Sequence, residues 1–241
     1  SVTSSEHSDI PFPTCEDWTR SSNQQDGKFF SYFARSYRLD FSTLWTDRKN
    51  IAVFRGSSTG FGTTIDNNLR LKLVHLSKVR PDILDCGITK FCLRPRIHEN
   101  TLKTIEPDVQ KLIGLSPKLS PEEQSKYKYI INIDGHVSAF RLSLELSMGS
   151  CILLVESNYK MWFSMGLIEW IHFVPIKSDL SDLYTKVEWC IEHDEECKIM
   201  AQNALDFYNK YLCKDGILDY LQKLCYNVKE MMGDYYECKP I

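Results

Sequence analysis

The chain has 241 residues, of which 43% are hydrophobic and 25% charged, enough to bury a real core in one large domain or two small lobes. A formal net charge of −3 and an isoelectric point near 6.1 leave no broad basic face, which argues against nucleic acid as a partner. No run approaches the roughly twenty apolar residues needed to span a bilayer, and the N-terminal sequence SVTSSEHSD has no signal-like apolar core.

The N-terminal segment, residues 1–27, is polar and rich in turn formers. Pro11 and Pro13 bracket an aromatic residue, which is typical of extended or irregular chain rather than helix. Aromatic side chains then recur at helical spacing in residues 28–39 and predict a helix there. Because the chain begins without Met, we expect it to be an excerpt or a processed product.

Residues 51–54 are a short apolar run that predicts a buried strand. The strand leads into a polar loop, RGSSTG at residues 55–60, which is a first candidate phosphate loop because glycine allows the backbone to approach an anion closely. Residues 67–79 alternate leucine with basic residues and predict a helix whose leucines face inward, with Arg70 on another face.

The middle of the chain continues the alternation of strands and helices. A strand is predicted over residues 82–91, and loops with a helix over residues 94–126, where Ser120-Pro121-Glu122-Glu123 matches a helix N-terminus with a capping box. The later predicted elements are a helix ending at Met148, a strand at 152–155, an amphipathic piece at 159–165, a strand at 171–176 and three helices filling 179–232. This order predicts an α/β fold with a parallel sheet and crossover helices.

The sequence KYIINIDGHVSAFR, residues 128–141, is the second candidate phosphate site. Its apolar start predicts a strand that runs through Asp134 and Gly135 into the first turn of a helix. Ser138 and Arg141 then face one ligand, and together with free N–H groups at the helix start they suffice to neutralise a diphosphate without a metal. The alternative is an ordinary strand-to-helix junction in which the glycine only fits the bend.

Four blocks, SDIPFPTCEDW, VFRGSSTG, KYIINIDGHVSAFR and WIHFVPIKSDLSDL, resemble in this order the glycosyltransferase family of the Rumi-type protein O-glucosyltransferases and fungal capsule xylosyltransferases, glycosyltransferase family 90. The resemblance implies a GT-B-like fold of two Rossmann-like lobes with a cleft between them. Residues 1–115 would be a partial, truncated acceptor-side lobe and residues 116–241 the nucleotide-sugar lobe. It also implies inverting, metal-independent transfer of a sugar, glucose or xylose, from a UDP-sugar to a hydroxyl on protein or glycan.

The resemblance also implies roles for individual residues. Asp9 in the first block matches the catalytic base, which removes the acceptor proton while UDP leaves without prior protonation. The positions that match the donor side are Arg55, Gly56, Ser57, Ser58, Thr59, Arg70, Gly135, His136, Ser138, Phe140 and Arg141. No metal and no cofactor is expected, since the UDP-sugar is a substrate.

Other interpretations stay open at this point. The chain is alternatively a non-catalytic relative that serves as a nucleotide-binding or interaction module of a longer polypeptide. A kinase or NTPase is disfavoured because the pattern G-x-x-x-x-G-K-[ST] is missing. Arg141 has a structural alternative as the partner of Glu145 one helical turn on, and Asp17 is expected to be only a solvated partner of Arg20.

Nine cysteines are scattered along the chain without the Cys-x-x-Cys pairs of a zinc ribbon. A bridge between Cys190 and Cys197, or between Cys225 and Cys238, stays open. The odd number, together with the lack of an Asn-x-Ser/Thr sequon and of a retention motif, slightly favours the cytoplasm or another reducing compartment over the ER or Golgi lumen.

Overall fold

The structure, a computed structural model, describes residues 2–4, 6, 9–22, 41–98 and 101–232. The helix predicted over residues 28–39 lies outside the described residues. The strands are β1 (Val2–Ser4), β2 (Lys49–Ser57), β3 (Leu84–Lys90), β4 (Arg96–His98), β5 (Thr101–Lys103), β6 (Tyr127–Asn132), β7 (Cys151–Val155), β8 (Tyr159–Met161) and β9 (Val174–Ile176). The helices are α1 (Cys15–Ser22), α2 (Leu69–Val79), α3 (Pro107–Ile113), α4 (Pro121–Gln124), α5 (Leu142–Glu145), α6 (Leu183–Glu192), α7 (Asp194–Tyr211) and α8 (Lys214–Met232).

The centre of the fold is a five-stranded sheet with the order β3-β2-β6-β7-β9. All four pairings in it are parallel. The chain moves outward from β2 to β3 and then returns to place β6 on the other side of β2, so the strand order reverses between β2 and β6. The predicted α/β class with a parallel sheet is therefore confirmed.

Apolar side chains cover both faces of this sheet. Neighbouring residues of one strand point to opposite faces, so Phe54 lies in one buried cluster while Val53 lies in the other. Tyr129 and Ile130 divide in the same way. Burial on both faces explains why the central strands appear in the sequence as continuous apolar runs rather than alternating ones.

The predicted boundary between residues 115 and 116 does not separate two sheets. β2 and β3 come before it, β6, β7 and β9 come after it, and all five belong to the same sheet. The described residues thus form one Rossmann-like unit, and the two-lobed arrangement with a truncated first lobe stays a prediction.

The N-terminal segment is more ordered than the sequence suggested. β1 pairs antiparallel with β8, and α1 packs against α8, so the irregular chain predicted for residues 15–22 is wrong. The helix begins with a reciprocal cap in which the Thr14 hydroxyl accepts from the Asp17 amide at 3.1 Å and the Asp17 carboxylate accepts from the Thr14 amide at 3.0 Å. This Thr-x-x-Asp pattern is the signal that the sequence carried for α1.

The helix predicted to start at Gly135 is also wrong. Residues 133–141 form a loop, and α5 begins only at Leu142. The Asp134 carboxylate accepts a hydrogen bond from the Ala139 amide at 3.0 Å, and a side chain that binds a nearby backbone amide in this way competes with helical hydrogen bonds.

The described cysteines are free thiols. Cys190 and Cys197 are both buried in the core and unbridged, so the first of the two bridges left open is absent from the structure. Within the described ranges, no helix combines the length and apolar character needed to cross a membrane.

Candidate functional site

A cavity of about 390 Å³ opens at the carboxyl ends of β2, β3 and β6. The strand order reverses at this edge, and open parallel sheets bind ligands outside the strand ends at such a point. The cavity is lined by Arg55, Gly56, Ser57, Thr59, Arg70, Thr89, Lys118, Leu119, Gln124 and Arg141. Six of these were predicted from the sequence, and they come from three separate segments of the chain.

The alternation of side chains along β2 divides the RGSSTG loop between two environments. Ser57 and Thr59 line the cavity, whereas Ser58 does not and is fully buried. The Ser58 hydroxyl accepts a hydrogen bond from the Cys92 amide at 2.8 Å, and its carbonyl accepts from Arg96 at 2.9 Å. Ser58 therefore holds the loop after β3, on the side away from the cavity.

Arg55 lines the cavity, but its guanidinium group is engaged by protein acceptors. It forms an ion pair with Asp85 at 2.6 Å and donates to the carbonyls of Asp85, Phe54 and Pro117. Burial alone would raise the pKa of Asp85, but hydrogen bonds from Tyr127 and Arg55 hold that pKa below its ordinary value. Arg55 thus fastens β2 to β3 and adds positive charge to the cavity wall.

Arg70 is only 6% exposed and ties two loops together. Its guanidinium donates to the Ser57 carbonyl at 3.0 Å and the Thr59 hydroxyl at 2.8 Å on one side. On the other it donates to the carbonyls of Ile133 and Asp134, both at 2.9 Å. Burial and the charge of Arg141 lower the pKa of Arg70 to about 9. A further negative charge close to Arg70 would therefore stabilise its protonated form.

Arg141 has fewer protein partners than the other two cavity arginines. One Nη donates to the Arg55 carbonyl, Nε lies 3.7 Å from a Glu145 carboxylate oxygen, and the group stacks over Phe54 with 5.3 Å to the ring centroid. Its side chain is 30% exposed. Among the described residues its other Nη has no hydrogen-bond acceptor, so Arg141 is the cavity arginine with a free donor to offer an anion.

The residues that precede Arg141 in its segment, 134–140, do not line the cavity. A Cβ atom at Gly135 would collide with the Thr59 hydroxyl, so the glycine allows the two loops to meet. Ser138 is buried, and Phe140 packs against the core on one face of the sheet. Of the five donor-side positions predicted here, only Arg141 reaches the cavity.

His136 faces a basic environment rather than a substrate cavity. Its Nε2 lies 3.9 Å from the Cys92 sulfur, and its carbonyl accepts from the Tyr159 hydroxyl at 3.3 Å. Burial and the charges of Arg96, Arg94 and Arg70 lower the pKa of His136, which favours the neutral imidazole.

Asp9 is exposed in the segment between β1 and α1 and is not among the residues that line the cavity. The ends of its segment are held in place, because Ser4 pairs with Tyr159 and the Pro11 carbonyl accepts from the Tyr220 hydroxyl at 2.6 Å. Tyr159 in turn reaches the His136 carbonyl, so this segment starts beside the loop that follows β6. The assignment of Asp9 as base stays a prediction.

Asp17 corrects one expectation, because it is buried rather than solvated. Its carboxylate accepts from Arg20 and the Ser143 hydroxyl at 2.8 Å and from the Trp162 indole at 3.1 Å. Although burial raises its pKa, these hydrogen bonds and the Arg20 charge bring it below the ordinary value. Asp17 therefore joins α1 to α5, directly behind the loop that carries Arg141.

Part of the cavity wall has no local signal in the sequence. It includes Lys118, Leu119 and Gln124, from the loop before α4 and from α4 itself, and Thr89 at the end of β3. The Ser120 capping box located α4 correctly, but nothing local to these residues indicates that they meet the end of β2.

Comparison with known sequences identifies the family. The family model described as glycosyl transferase family 90 matches residues 2–233, almost the whole chain. The chain belongs to glycosyl transferase family 90. The family resemblance inferred from the four sequence blocks is confirmed.

The chain spans only part of the length of the relatives it matches. It is 49% identical over 222 residues to Uncharacterized protein 035R of Invertebrate iridescent virus 3, a match covering 91% of the chain and 20% of that protein. It is 35% identical over 160 residues to human Protein O-glucosyltransferase 3, covering 66% of the chain and 28% of that protein. The chain thus spans less than a third of the length of these relatives.

Among solved structures, this family-90 chain is similar to Anabaena Alr3699/HepE in complex with UDP-glucose. The TM-score is 0.47 with 10% sequence identity, and the match covers 74% of the chain and 48% of HepE.

Proposed function

We propose that this family-90 chain binds a UDP-sugar in the cavity at the carboxyl ends of β2 and β6 and transfers the sugar to a hydroxyl on a protein or glycan. The observation that carries the proposal is the position of Arg141, which brings a guanidinium group with a free donor to the strand-order reversal point. Family membership and the name of the human relative support sugar transfer, and we propose glucose or xylose as the sugar.

The electrostatics of the cavity suit a departing diphosphate. Three arginines contribute to its wall, and Lys118 adds a fourth cation at an exposed position. Negative charge accumulates on the diphosphate as the bond to the sugar breaks, so fixed cations stabilise the transition state more than the ground state. Arg141 can donate to the diphosphate while Arg55, Arg70 and Lys118 add positive charge around it, and on this basis we propose that no metal is needed.

Asp9 is the proposed base in an inverting reaction. Its carboxylate would take the proton of the acceptor hydroxyl, whose oxygen attacks the anomeric carbon from the side opposite the leaving UDP. The support is the match of its sequence block to the family and the anchoring of its segment beside the loop that follows β6.

Two observations favour the second candidate, a nucleotide-binding module without catalysis. Asp9 is exposed and does not line the cavity, and the chain spans only 20% of the iridescent-virus relative and 28% of the human one. In this case the cavity binds the nucleotide without sugar transfer, and the chain serves as a nucleotide-binding or interaction module of a longer polypeptide.

Calorimetric titration with UDP, UDP-glucose and UDP-xylose, followed by a turnover assay for UDP release, tests both candidates. We expect UDP binding in the wild type and in Asp9→Asn, with release of UDP from the sugar nucleotide by the wild type alone. Binding without turnover in the wild type would favour the module, and the absence of binding by all three ligands would contradict both.

A further inference from the structure

Glu145, the last residue of α5, is a buried acid directly behind the cavity. It is 1% exposed, and one carboxylate oxygen accepts a hydrogen bond from the Asn132 side-chain amide at 2.6 Å. The other lies 3.7 Å from Nε of Arg141. The helical pair considered as a structural alternative for Arg141 is therefore present, and the acid in it is almost fully removed from water.

The charges that face Glu145 come from two elements. Arg141 approaches from the loop before α5, and Arg70 acts on it from α2, while β6 contributes only the neutral Asn132. On the far side of α5, Asp17 and Arg20 pair with each other at 2.8 Å and contact Ser143. Glu145 is therefore a counter-charge for both arginines that border the cavity at this edge.

The protonation state of Glu145 depends on opposing effects of burial and of its cationic and amide partners. Burial raises the pKa of Glu145, whereas the charge of Arg141, the hydrogen bond from Asn132 and the charge of Arg70 oppose this rise. Any new negative charge near Arg141 would weaken that opposition, because the guanidinium group would then be shared between two anions.

We propose that Glu145 positions the Arg141 guanidinium at the empty cavity and takes up a proton from solvent when a diphosphate binds there, so that donor binding is proton-linked. The inference rests on the proposed function, because it requires a diphosphate beside Arg141. The protonated carboxyl keeps an oxygen that accepts from Asn132, so its neutral form fits the same place. Because the protonated Glu145 carries no negative charge, the charge of Arg141 is then no longer shared between Glu145 and the ligand.

The direction of the pH dependence follows from linkage. Glu145 has a higher pKa in the ligand-bound protein than in the free protein, so binding is strongest at low pH and weakens as pH rises through the bound-state pKa. One linked proton changes the affinity by at most about tenfold per pH unit. His136 and Asp134, both on the loop after β6, are further titratable groups at this edge, and His136 is the one whose contribution the experiment has to separate, since burial and neighbouring arginines lower its pKa.

Calorimetry with UDP-glucose between pH 5.5 and 8, in buffers with different heats of ionisation, measures the linked proton directly. UDP-glucose is preferred to UDP, whose terminal phosphate itself titrates near a pKa of about 6. We expect the wild-type chain to take up a fraction of a proton, with an affinity that falls about threefold or more across this range. Glu145→Gln should bind at least as tightly as the wild type at pH 5.5, with no uptake and a flat pH profile. Glu188→Gln, at a half-buried pair with Arg80 outside the cavity wall, should behave like the wild type.

The proposed function and the role of Glu145 fail under different outcomes. If the wild type does not bind UDP-glucose at any pH, the proposed function fails and this inference fails with it. If it binds with no proton uptake and a flat profile, only the role of Glu145 is overturned. Uptake that persists in Glu145→Gln would also overturn it, and would point to His136. Should Glu145→Gln not fold, the buffer comparison on His136→Gln decides: uptake retained in that variant supports Glu145, and uptake lost in it overturns the role of Glu145.

Discussion

Arg141 passes so close to Gly56 that a Cβ atom at residue 56 would lie 2.8 Å from Nη2 of the arginine. The same atom would lie 2.7 Å from the tip of the Phe54 ring, over which Arg141 stacks. Both distances are shorter than any van der Waals contact of a Cβ atom. The glycine of the FRG block is therefore required for the position of the arginine. The donor cavity depends on this contact between two residues that are 85 positions apart.

Gly56→Ala should therefore weaken UDP binding without removing any polar group. The new methyl group must displace Arg141 or Phe54, and overpacking of this kind costs about 1–3 kcal/mol. We expect the UDP affinity measured by calorimetry to fall by about tenfold, with a smaller effect on the melting temperature. An unchanged affinity would mean that Arg141 does not act from the position seen in the structure.

Arg141→Ala should lower UDP affinity by about 100-fold, in line with about 1.5–3 kcal/mol for a hydrogen bond to a charged group. The single variant also leaves the buried Glu145 without its ion-pair partner and so should unfold more easily. The double variant Arg141→Ala, Glu145→Gln removes this unpaired charge and should show the same loss of affinity with a smaller loss of stability. Arg80→Ala, at a half-buried position outside the cavity wall, is the matched control, and normal UDP affinity in the double variant would exclude Arg141 as a ligand for the diphosphate.

Ser57 and Ser58 form a matched pair, because they are neighbours with opposite environments. Ser57→Ala should lower UDP affinity about two- to fivefold and leave the melting temperature unchanged, since a hydrogen bond contributes about 0.5–1.5 kcal/mol. Ser58→Ala should destabilise the fold by about 1 kcal/mol, because the Cys92 amide loses its acceptor, and should keep normal UDP affinity. The reverse pattern would show that the 57–59 segment faces the other way.

Asp17→Asn tests the connection between α1 and α5. Because the pKa of Asp17 is lower in the folded chain, its carboxylate stabilises the fold above its unfolded pKa of about 3.9, and this contribution is lost as pH falls through the folded value. We expect the variant to lose about 1–3 kcal/mol of unfolding free energy at pH 7, measured by urea denaturation, and to show a weaker decline below pH 4. Asp206→Asn, on the exposed side of α7, is the control. An Asp17→Asn curve that overlays the wild type at both pH values would mean that the network contributes nothing.

The pattern of the sequence was sufficient to predict the family, the parallel sheet and the segments after β2 and β6 that border the cavity. These features are visible along the chain itself, as apolar runs typical of strands covered on both faces, as polar loops at strand ends, and as four sequence blocks in the order found in the family. The start of helix α1 belongs in the same class, since its cap by Thr14 and Asp17 is a local pattern of the sequence.

The tertiary structure decided how each side chain is used. Arg55 is engaged by Asp85, which is 30 residues away, Ser58 turns to Cys92, and Lys118 joins the cavity from the loop before α4. Ion pairs, burial and close approach act between residues that are neighbours in space but distant along the chain. A guanidinium group is therefore available to a ligand only if no protein acceptor already occupies its donors, and that depends on how the strands are ordered in the sheet.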